Sequence, residues 1–334
     1  MKPQIALICG GMSAEHEISC LSALGIFEAI DRERFDVSLL GITASGRGFV
    51  ALSGADDFDR DENDMPIVPE SGTARQLPSE IDLLFPVLHG SNGEDGVFQG
   101  YAEFLQINYL GSGVLASALA MDKARAKETF KANGLRVARG IALTSSESAG
   151  DVELSLPLFV KPSRGGSSRG TVKVKSKADL GAAIEEALRF DDVALVEEAI
   201  HGRELECAVL EINGEIATSV VGEIRVLGDR EFYDYEAKYL DSATEYLIPA
   251  PIGEDLSRQI QESAKRAFKA IGCSGLARVD FFVDEEDSII INELNTMPGF
   301  TPKSVFPMLW KATGRNYRDV ITTMIEEALR RPKS

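Results

Sequence analysis

Residues 275–295, GLARVDFFVDEEDSIIINELN, contain two β-patterned runs on either side of an acidic turn. If the turn has two or four residues, Val283 pairs with Ser288, which places Arg278 opposite Glu293 and Asp280 opposite Ile291. Because side chains alternate between the faces of a strand, four polar side chains would share one face: Arg278, Asp280, Glu293 and Asn295. A turn of three or five residues would break this shared face.

The polar face of this hairpin has two interpretations. Asp280, Glu293 and Asn295 supply hard oxygen ligands, which suit Mg²⁺ and leave nucleotide phosphates to complete its shell. Two carboxylates ~4 Å apart repel by about 4 kcal/mol at an effective dielectric constant of ~20, so the pair requires a cation or a proton. The alternative is a salt bridge between Arg278 and Glu293 across the strands.

A glycine-serine tract at residues 161–170, KPSRGGSSRG, lies between two further β-patterned runs. Glycines allow close approach of the backbone to a ligand, and the hydroxyls, amides and cations of this tract are all donors to phosphate. The tract is not a Walker A motif, because a strand follows it where a helix would begin. It is interpreted as a loop over polyphosphate, with a basic hairpin as the alternative.

The first half of the chain alternates short apolar runs with helical patterns. Strands are predicted at residues 4–9, 35–42 and 81–88, and a helix at residues 13–30, which is the order of a parallel sheet covered by helices. Residues 51–79 are acidic and lack periodicity, so they are expected to form a surface excursion. The fold class is α/β, with domains predicted at residues 1–115, 116–206 and 207–334.

Composition limits the function. The 334 residues carry 35 Lys plus Arg against 53 Asp plus Glu, a net charge of −18. Such a chain repels a phosphate backbone, so nucleic acid is not expected as a partner. The four cysteines are far apart, which indicates a reducing compartment, and no run of apolar residues is long enough for a membrane span or a signal peptide. The protein is expected to be cytoplasmic.

Three glycine-rich turns have structural alternatives. The turn at residues 89–96, HGSNGEDG, follows an apolar strand, where α/β sheets bind ligands, but a purely structural turn explains it equally well. The same holds for residues 10–15, GGMSAE. Residues 111–116, GSGVLA, match the dinucleotide pattern without its usual context, so a nicotinamide-dependent dehydrogenase is a weak rival.

Seven segments, in this order, resemble the D-alanine–D-alanine ligase family of the ATP-grasp superfamily. They are GGMSAEHEIS (10–19), LHGSNGEDG (88–96), GSGVLASALAMDK (111–123), VKPSRGGSSRG (160–170), FYDYEAKY (232–239), GLARVD (275–280) and NELNTMPGFT (292–301). The resemblance implies an ATP-grasp fold, in which two antiparallel sheets enclose the nucleotide beside the N-terminal α/β domain. It also implies that ATP and two D-alanines react through D-alanyl phosphate to give D-alanyl-D-alanine for peptidoglycan synthesis.

The resemblance also implies roles in nucleotide and metal binding. Lys123 and Lys161 would hold phosphates, and Lys238 would reach the terminal phosphate. Glu197 would bind the adenine amino group and Glu204 the ribose. Two Mg²⁺ ions, with Mn²⁺ as a substitute, would be bound by Asp280, Glu293 and Asn295.

For the amino acids, the implied residues come from all three domains. Glu15 would bind the amino group of the first D-alanine and join Ser167 and Tyr239 in a cluster that holds the loop at residues 232–240. Arg278 and the N–H of Gly299 would face the acyl oxyanion. His89 would lie near the first amino acid, and Ser304 would bind the carboxylate of the second.

Two features bear on the second substrate and on assembly. Tyr239 is typical of relatives that use D-alanine, whereas Lys303 is unexpected beside Ser304, so D-serine, D-lactate or another amine is the alternative second substrate. A non-catalytic ATP-binding homologue is disfavoured because every charged position that the reaction requires is filled. The family also implies a homodimer without a membrane partner.

Overall fold

The computed structural model describes residues 1–72, 77, 80–166, 168–226 and 244–331. Three expected site residues lie outside this range: Ser167, Lys238 and Tyr239. The loop at residues 232–240, to which the resemblance assigns closure, also lies outside the described residues.

The first sheet confirms the α/β class and has the strand order β3-β2-β1-β6. The strands before residue 90 are β1 (Gln4–Gly10), β2 (Asp36–Ile42), β3 (Phe49–Leu52), β4 (Asp59–Arg60), β5 (Pro66–Ile67) and β6 (Leu83–Pro86). Strand β1 is parallel to β2 and β6, as predicted, and helix α1 (His16–Ala29) forms the first crossover. The sheet is mixed because β3 runs antiparallel to β2 after a short turn that has no room for a crossover helix.

Residues 51–79 contribute to the core, although their composition predicts a surface excursion. Phe58 and Val68 are buried and belong to the core cluster that includes Phe85. Val68 packs over a strand glycine, since a Cβ at Gly41 would meet its methyl groups at 2.6 Å. Isolated apolar residues in an acidic segment have no periodicity that reveals their burial.

The second sheet has the strand order β7-β10-β8-β9, and its neighbouring strands are antiparallel. Its strands are β7 (Gly140–Leu143), β8 (Leu158–Pro162), β9 (Val172–Val174) and β10 (Ala194–Glu198). The helices of this part of the chain are α2 (Val97–Phe104), α3 (Val114–Met121), α4 (Lys123–Ala132) and α5 (Leu180–Leu188). Helix α5 buries Leu180, Ala183, Ile184 and Ala187 against this sheet, a spacing of three and four residues typical of an amphipathic helix.

The third sheet has the strand order β13-β12-β11-β14-β15 and is antiparallel throughout. Its strands are β11 (Arg203–Ile212), β12 (Glu215–Val226), β13 (Thr244–Leu247), β14 (Leu276–Val283) and β15 (Ile289–Asn295). Helix α6 (Glu254–Ile271) covers one face together with α3 and α4, and the other face carries the polar side chains. Helices α7 (Val305–Ala312) and α8 (Tyr317–Arg330) join this sheet to the core of the first sheet.

The hairpin of β14 and β15 has a different register from the predicted one. Val283 pairs with Ile289, so the turn comprises residues 284–288 and has five residues, and Arg278 lies opposite Asn295 rather than Glu293. A β-bulge at Asn292 adds one residue to β15, which places Asp280 opposite Glu293. The bulge therefore restores the predicted shared face that a five-residue turn alone would have broken.

None of the described helices has the length and apolar character that a membrane-spanning segment needs. The domain boundaries after residues 115 and 206 stay a prediction.

Candidate active site

A cavity of about 1160 Å³ lies between the second and third sheets and reaches the carboxyl end of the first sheet. Its walls include Lys161 of β8, Glu197 of β10, Glu204 of β11 and Asp280 of β14. Ligand sites are commonly 300–1,000 Å³, so the volume suits a nucleotide together with smaller ligands. The turn at residues 111–113 does not line it: Arg331 donates to the Gly111 carbonyl, and Ser112 contacts Ser274.

A buried carboxylate lies between two lysines in the wall of the cavity. Glu197 Oε1 lies 2.8 Å from Lys127 Nζ, and Oε2 lies 2.8 Å from Lys161 Nζ. Burial alone would raise the pKa of Glu197, but the two ammonium groups outweigh it and lower the pKa to about 2. Burial also lowers the pKa of Lys127, although Glu197 opposes this effect. The group presents an ionised carboxylate as a hydrogen-bond acceptor.

The polar face of the third sheet holds a dense charge cluster. Arg278 forms a bidentate pair with Asp280, with both N···O distances 2.7 Å, and its Nε lies 3.0 Å from Glu206 Oε2. Burial alone would lower the pKa of Arg278, but these carboxylates raise it well above its usual value. Asn295 Nδ2 donates to Asp280 Oδ2 at 3.0 Å. Arg278 therefore pairs with Asp280 and Glu206 and not with Glu293, which contradicts the alternative interpretation of a salt bridge between Arg278 and Glu293.

Lys123 connects the third sheet to the glycine-serine tract. Its Nζ lies 3.5 Å from Glu293 Oε2 and donates to the Gly165 carbonyl at 2.6 Å. In the same tract, Arg164 donates to Asp191 through Nε at 2.9 Å, and the Arg169 guanidinium lies 5.9 Å from the centre of the Phe190 ring. Arg164 therefore stabilises the tract itself, and Lys123 and Lys161 point their charges into the cavity.

The donor set on β14 and β15 fits a magnesium ion. Asp280 and Glu293 carry carboxylates at directly opposed positions, and Asn295 adds an amide oxygen beside them. These are the oxygen ligands that Mg²⁺ prefers. Within the described ranges, no cluster of three His, Cys, Asp or Glu residues forms a metal site, so any ion here takes the remaining ligands from Asn295, water or phosphate.

Glu15 and His89 lie at the end of the cavity nearest the first sheet. A Cβ on Gly166 would lie 2.9 Å from Glu15 Oε2, so the glycine-serine tract approaches this carboxylate closely. Burial lowers the pKa of His89. The neighbouring Glu94 also faces the cavity, and burial together with the charge of Glu15 raises its pKa to about 8.

Residues 296–305 close the cavity on the side of helix α7. Ser304 occupies the N-cap position of α7, and its Oγ accepts from the Thr301 N–H at 3.0 Å. Gly299 lines the same wall, where a Cβ would lie 3.3 Å from Ser304 Oγ, and Lys303 is exposed at its rim. A helix N-terminus presents unpaired N–H groups, which suit a carboxylate.

Every expected site residue within the described ranges lines this one cavity: Glu15, His89, Lys123, Lys161, Glu197, Glu204, Arg278, Asp280, Glu293, Asn295, Gly299 and Ser304. Sequence reasoning missed Lys127, Glu94 and Glu206, which also line it. Lys127 follows Lys123 by one helical turn and Glu206 follows Glu204 by one strand period, so both spacings could have indicated a shared face.

Two antiparallel sheets that face each other across a nucleotide-sized, lysine-bearing cavity define an ATP-grasp enzyme. Family models agree: that for the D-ala D-ala ligase N-terminus matches residues 4–112, and that for the D-ala D-ala ligase C-terminus matches residues 130–326. The chain belongs to the D-alanine–D-alanine ligase family.

Individual relatives match along nearly their whole length. The D-alanine–D-alanine ligase of Kineococcus radiotolerans is 42% identical over 368 residues, covering 99% of this chain and 98% of the relative. D-alanine–D-alanine ligase A of Chromobacterium violaceum is 45% identical over 353 residues, covering 98% and 95%.

Solved structures are similar over the same extent. VanG D-Ala:D-Ser ligase from Enterococcus faecalis has a TM-score of 0.85 at 36% identity and covers 98% of this chain and 100% of its own. The D-alanine–D-alanine ligase from Coxiella burnetii has a TM-score of 0.83 at 33% identity, with coverage of 98% and 94%.

Proposed function

We propose that this protein joins two D-alanines to D-alanyl-D-alanine at the expense of ATP, through a D-alanyl phosphate intermediate. The observation that carries the proposal is the single cavity in which the lysine-held Glu197, the carboxylates of β14 and β15, and Glu15 come together. Family models over residues 4–112 and 130–326, and relatives that align with 98–99% of the chain, support it. The product would serve peptidoglycan precursor synthesis in the cytoplasm.

The nucleotide binds between the second and third sheets in this proposal. Glu197 accepts the adenine amino group, Glu204 bonds the ribose, and Lys123 and Lys161 hold phosphates, with Lys238 at the terminal phosphate. The ionised state of Glu197 supports its part, because a carboxylate held between two cations remains an acceptor while buried.

Asp280, Glu293 and Asn295 would hold two Mg²⁺ ions, with Mn²⁺ as a substitute. Bound there, the ions would neutralise charge on the transferred phosphoryl group. In the structure, Arg278 forms a salt bridge with Asp280 and Lys123 Nζ lies 3.5 Å from Glu293 Oε2, so each carboxylate of this face already has a cation beside it.

The amino acids bind at the far end of the cavity in this proposal. Glu15 accepts the ammonium group of the first D-alanine and joins Ser167 and Tyr239, while His89 lies alongside. The closeness of Gly166 to Glu15 supports this cluster, because Ser167 is the next residue. Ser304 and the N-terminus of α7 bind the carboxylate of the second D-alanine.

The reaction then proceeds in two steps. The carboxylate of the first D-alanine attacks the γ-phosphorus of ATP, an O–P bond forms, and ADP leaves. The neutral amine of the second D-alanine attacks the acyl carbon and a C–N bond forms; the C–O bond to phosphate then breaks, and the departing phosphate takes the proton that the nitrogen loses. Arg278 and the N–H of Gly299 stabilise the oxyanion between these events. Arg278 is fixed by Asp280 and Glu206, which supports its role as a positioned donor.

The alternative function is a ligase that uses D-serine, D-lactate or another amine as the second substrate. The observation in its favour is Lys303, which lies at the rim of the cavity beside Ser304. VanG, at 36% identity, is named a D-Ala:D-Ser ligase. The relatives named D-alanine–D-alanine ligase are 42% and 45% identical over nearly the whole chain, which favours D-alanine.

We also retain the three domains at residues 1–115, 116–206 and 207–334, and a homodimer without nucleic acid or membrane partners. Light scattering would measure the mass of the assembly, and a mass of one chain, 36.2 kDa, would contradict the dimer. Limited proteolysis would test the boundaries.

The experiment that tests the function measures phosphate release from ATP and Mg²⁺ with D-alanine, L-alanine, D-serine and D-lactate, singly and as D-alanine plus each other compound. Product masses are determined in parallel. We expect phosphate release and a dipeptide mass with D-alanine alone. Absence of release with D-alanine, together with release in another mixture, would reassign the substrate, and absence throughout would refute the proposal.

A further inference from the structure

Both backbone groups of Met297, the N–H and the carbonyl, are hydrogen-bonded to side chains. The Met297 N–H donates to Glu94 Oε1 at 3.1 Å, and His89 Nδ1 lies 3.0 Å from the Met297 carbonyl oxygen. Both partners come from the turn at residues 89–96, more than 200 positions away in the chain. Met297 lies two residues before Gly299 in the sequence.

A second contact holds the residue after Gly299. The Phe300 N–H donates to Ser22 Oγ at 3.3 Å, and Ser22 Oγ lies 3.4 Å from His89 Nε2. These bonds have consistent directions if His89 is neutral with its proton on Nδ1: Nδ1–H donates to Met297, Nε2 accepts from the Ser22 hydroxyl, and Ser22 accepts from Phe300. Burial, which lowers the pKa of His89, favours this neutral form.

Glu94 is itself anchored on the side of the first sheet. Its Oε2 accepts from the Gly90 N–H at 2.7 Å, so one carboxyl group joins the turn after β6 to the loop after β15. Ser22 and His89 are 0% and 4% exposed, so water does not compete for their bonds. Residues 297–300 are thus fixed by three side chains that lie outside their own sheet.

We propose that Ser22, His89 and Glu94 form a loop clamp, a set of positioning residues that hold the Gly299 N–H towards the reacting carbonyl. The inference rests on the proposed function, which gives Gly299 its place at the oxyanion. A donor contributes to catalysis only if it is held where charge develops, and a displacement of about 1 Å can lower a rate on the order of 100-fold.

The two steps of the reaction depend differently on such a clamp. Phosphoryl transfer creates charge at phosphorus, whereas the oxyanion at the acyl carbon forms only when the amine attacks. A loosened loop therefore slows amide formation more than phosphoryl transfer. D-Alanyl phosphate that has not yet reacted with the amine can be hydrolysed. Water attacks the acyl carbon, which returns D-alanine and releases phosphate. The ratio of phosphate released to dipeptide formed then rises above one.

Glu94→Gln is the test variant, because the amide offers one acceptor oxygen where the carboxyl group receives two N–H donors. Glu327→Gln is the matched control: Glu327 is also buried and accepts the N–H groups of Asn213 and Gly214, but it does not line the cavity. Both variants lose one of two backbone contacts, and Glu327→Gln also loses a salt bridge to Arg330, so the general loss of stability in the control should be at least as large as in the test variant.

We expect Glu94→Gln to form dipeptide at least about 10-fold more slowly, with a phosphate-to-dipeptide ratio well above one. Glu327→Gln should keep a ratio of one. Hydrogen exchange of peptides containing residues 296–300, measured without substrate, should accelerate in Glu94→Gln only. If Glu94→Gln does not fold, Ser22→Ala replaces it, with the same expectations and a smaller effect.

A ratio of one in a folded clamp variant, or unchanged exchange at residues 296–300, overturns the clamp. If the wild-type protein forms no dipeptide from D-alanine, the proposed function fails, and the catalytic part of the inference fails with it. Hydrogen exchange still decides whether these side chains hold the loop, so the two failures are distinguishable.

Discussion

Replacing Lys127 with methionine removes one of the two cations that hold Glu197. The two side chains are 6% and 5% exposed, and Nζ lies 2.8 Å from Oε1. At an effective dielectric constant of ~20, Coulomb's law gives about 6 kcal/mol for this pair. Desolvation of the ammonium group offsets part of it, and breaking a buried pair typically costs 3–5 kcal/mol. Because Glu197 retains Lys161, we expect a loss of about 3 kcal/mol in the free energy of unfolding.

Urea unfolding at pH 7 measures this loss, and Lys131→Met is the matched control, since Lys131 is exposed on the same helix. The control should change the free energy of unfolding by less than about 0.5 kcal/mol. A loss below about 1 kcal/mol in Lys127→Met would refute the reasoning, because desolvation would then cancel the attraction.

Acid unfolding provides a second check on the same pair. The folded pKa of Glu197, about 2, lies below its usual 4.5, so the ionised carboxylate stabilises the fold above pH 4.5 and this contribution disappears as the pH falls towards 2. The difference corresponds to about 3 kcal/mol. In Lys127→Met the loss between pH 4.5 and 2 should be smaller, and an equal loss would contradict the assignment.

Three further predictions concern the metal face, the protonation of the clamp and the cysteines. Glu293→Gln should lower turnover at least about 100-fold at saturating Mg²⁺, because a ligand charge is lost, without shifting the urea midpoint; near-normal phosphate release would remove the magnesium assignment. The raised pKa of Glu94 means that its neutral form stabilises the fold below pH 4.5 and that this contribution declines as the pH rises to about 8. The free energy of unfolding of Glu94→Gln should therefore fall less over that range than that of the wild type, and parallel curves would exclude the shift. Burial raises the pKa of Cys207 and Cys273 to about 12, so a colorimetric thiol reagent should modify them only in denaturant; rapid modification of either in the native protein would be inconsistent with their burial.

Strand periodicity succeeded where the relevant contacts are local. Alternation on β14 and β15 predicted that Arg278, Asp280, Glu293 and Asn295 share a face, and they do. The pairing itself was wrong, because the five-residue turn and the bulge at Asn292 compensate each other. Neither has a signature in the residue pattern, since the acidic turn tolerates either length.

The contacts of Lys127 and of the loop clamp could not be predicted from local sequence patterns. The spacing of one helical turn predicts that Lys127 lies on the same face of α4 as Lys123. Whether the Lys127 side chain faces solvent or Glu197 depends on the position of β10, which the spacing does not give. The bond between His89 and Met297 joins positions 208 residues apart. His89 was predicted to lie near the first amino acid, which stays a prediction; its Nδ1 contacts the Met297 carbonyl, and its Nε2 contacts Ser22 Oγ, which in turn accepts from the Phe300 N–H.

The amino-acid sequence alone determined the α/β class, the first-sheet strands β1, β2 and β6 with helix α1, and the residue types in each motif, because these follow from local periodicity and turn chemistry. Only the tertiary structure decided that Val68 is buried, that Arg278 pairs with Asp280 and Glu206, and that Glu94 joins two distant turns. Such contacts depend on the relative placement of whole sheets, which is set by the packing of the complete core and not by any one segment.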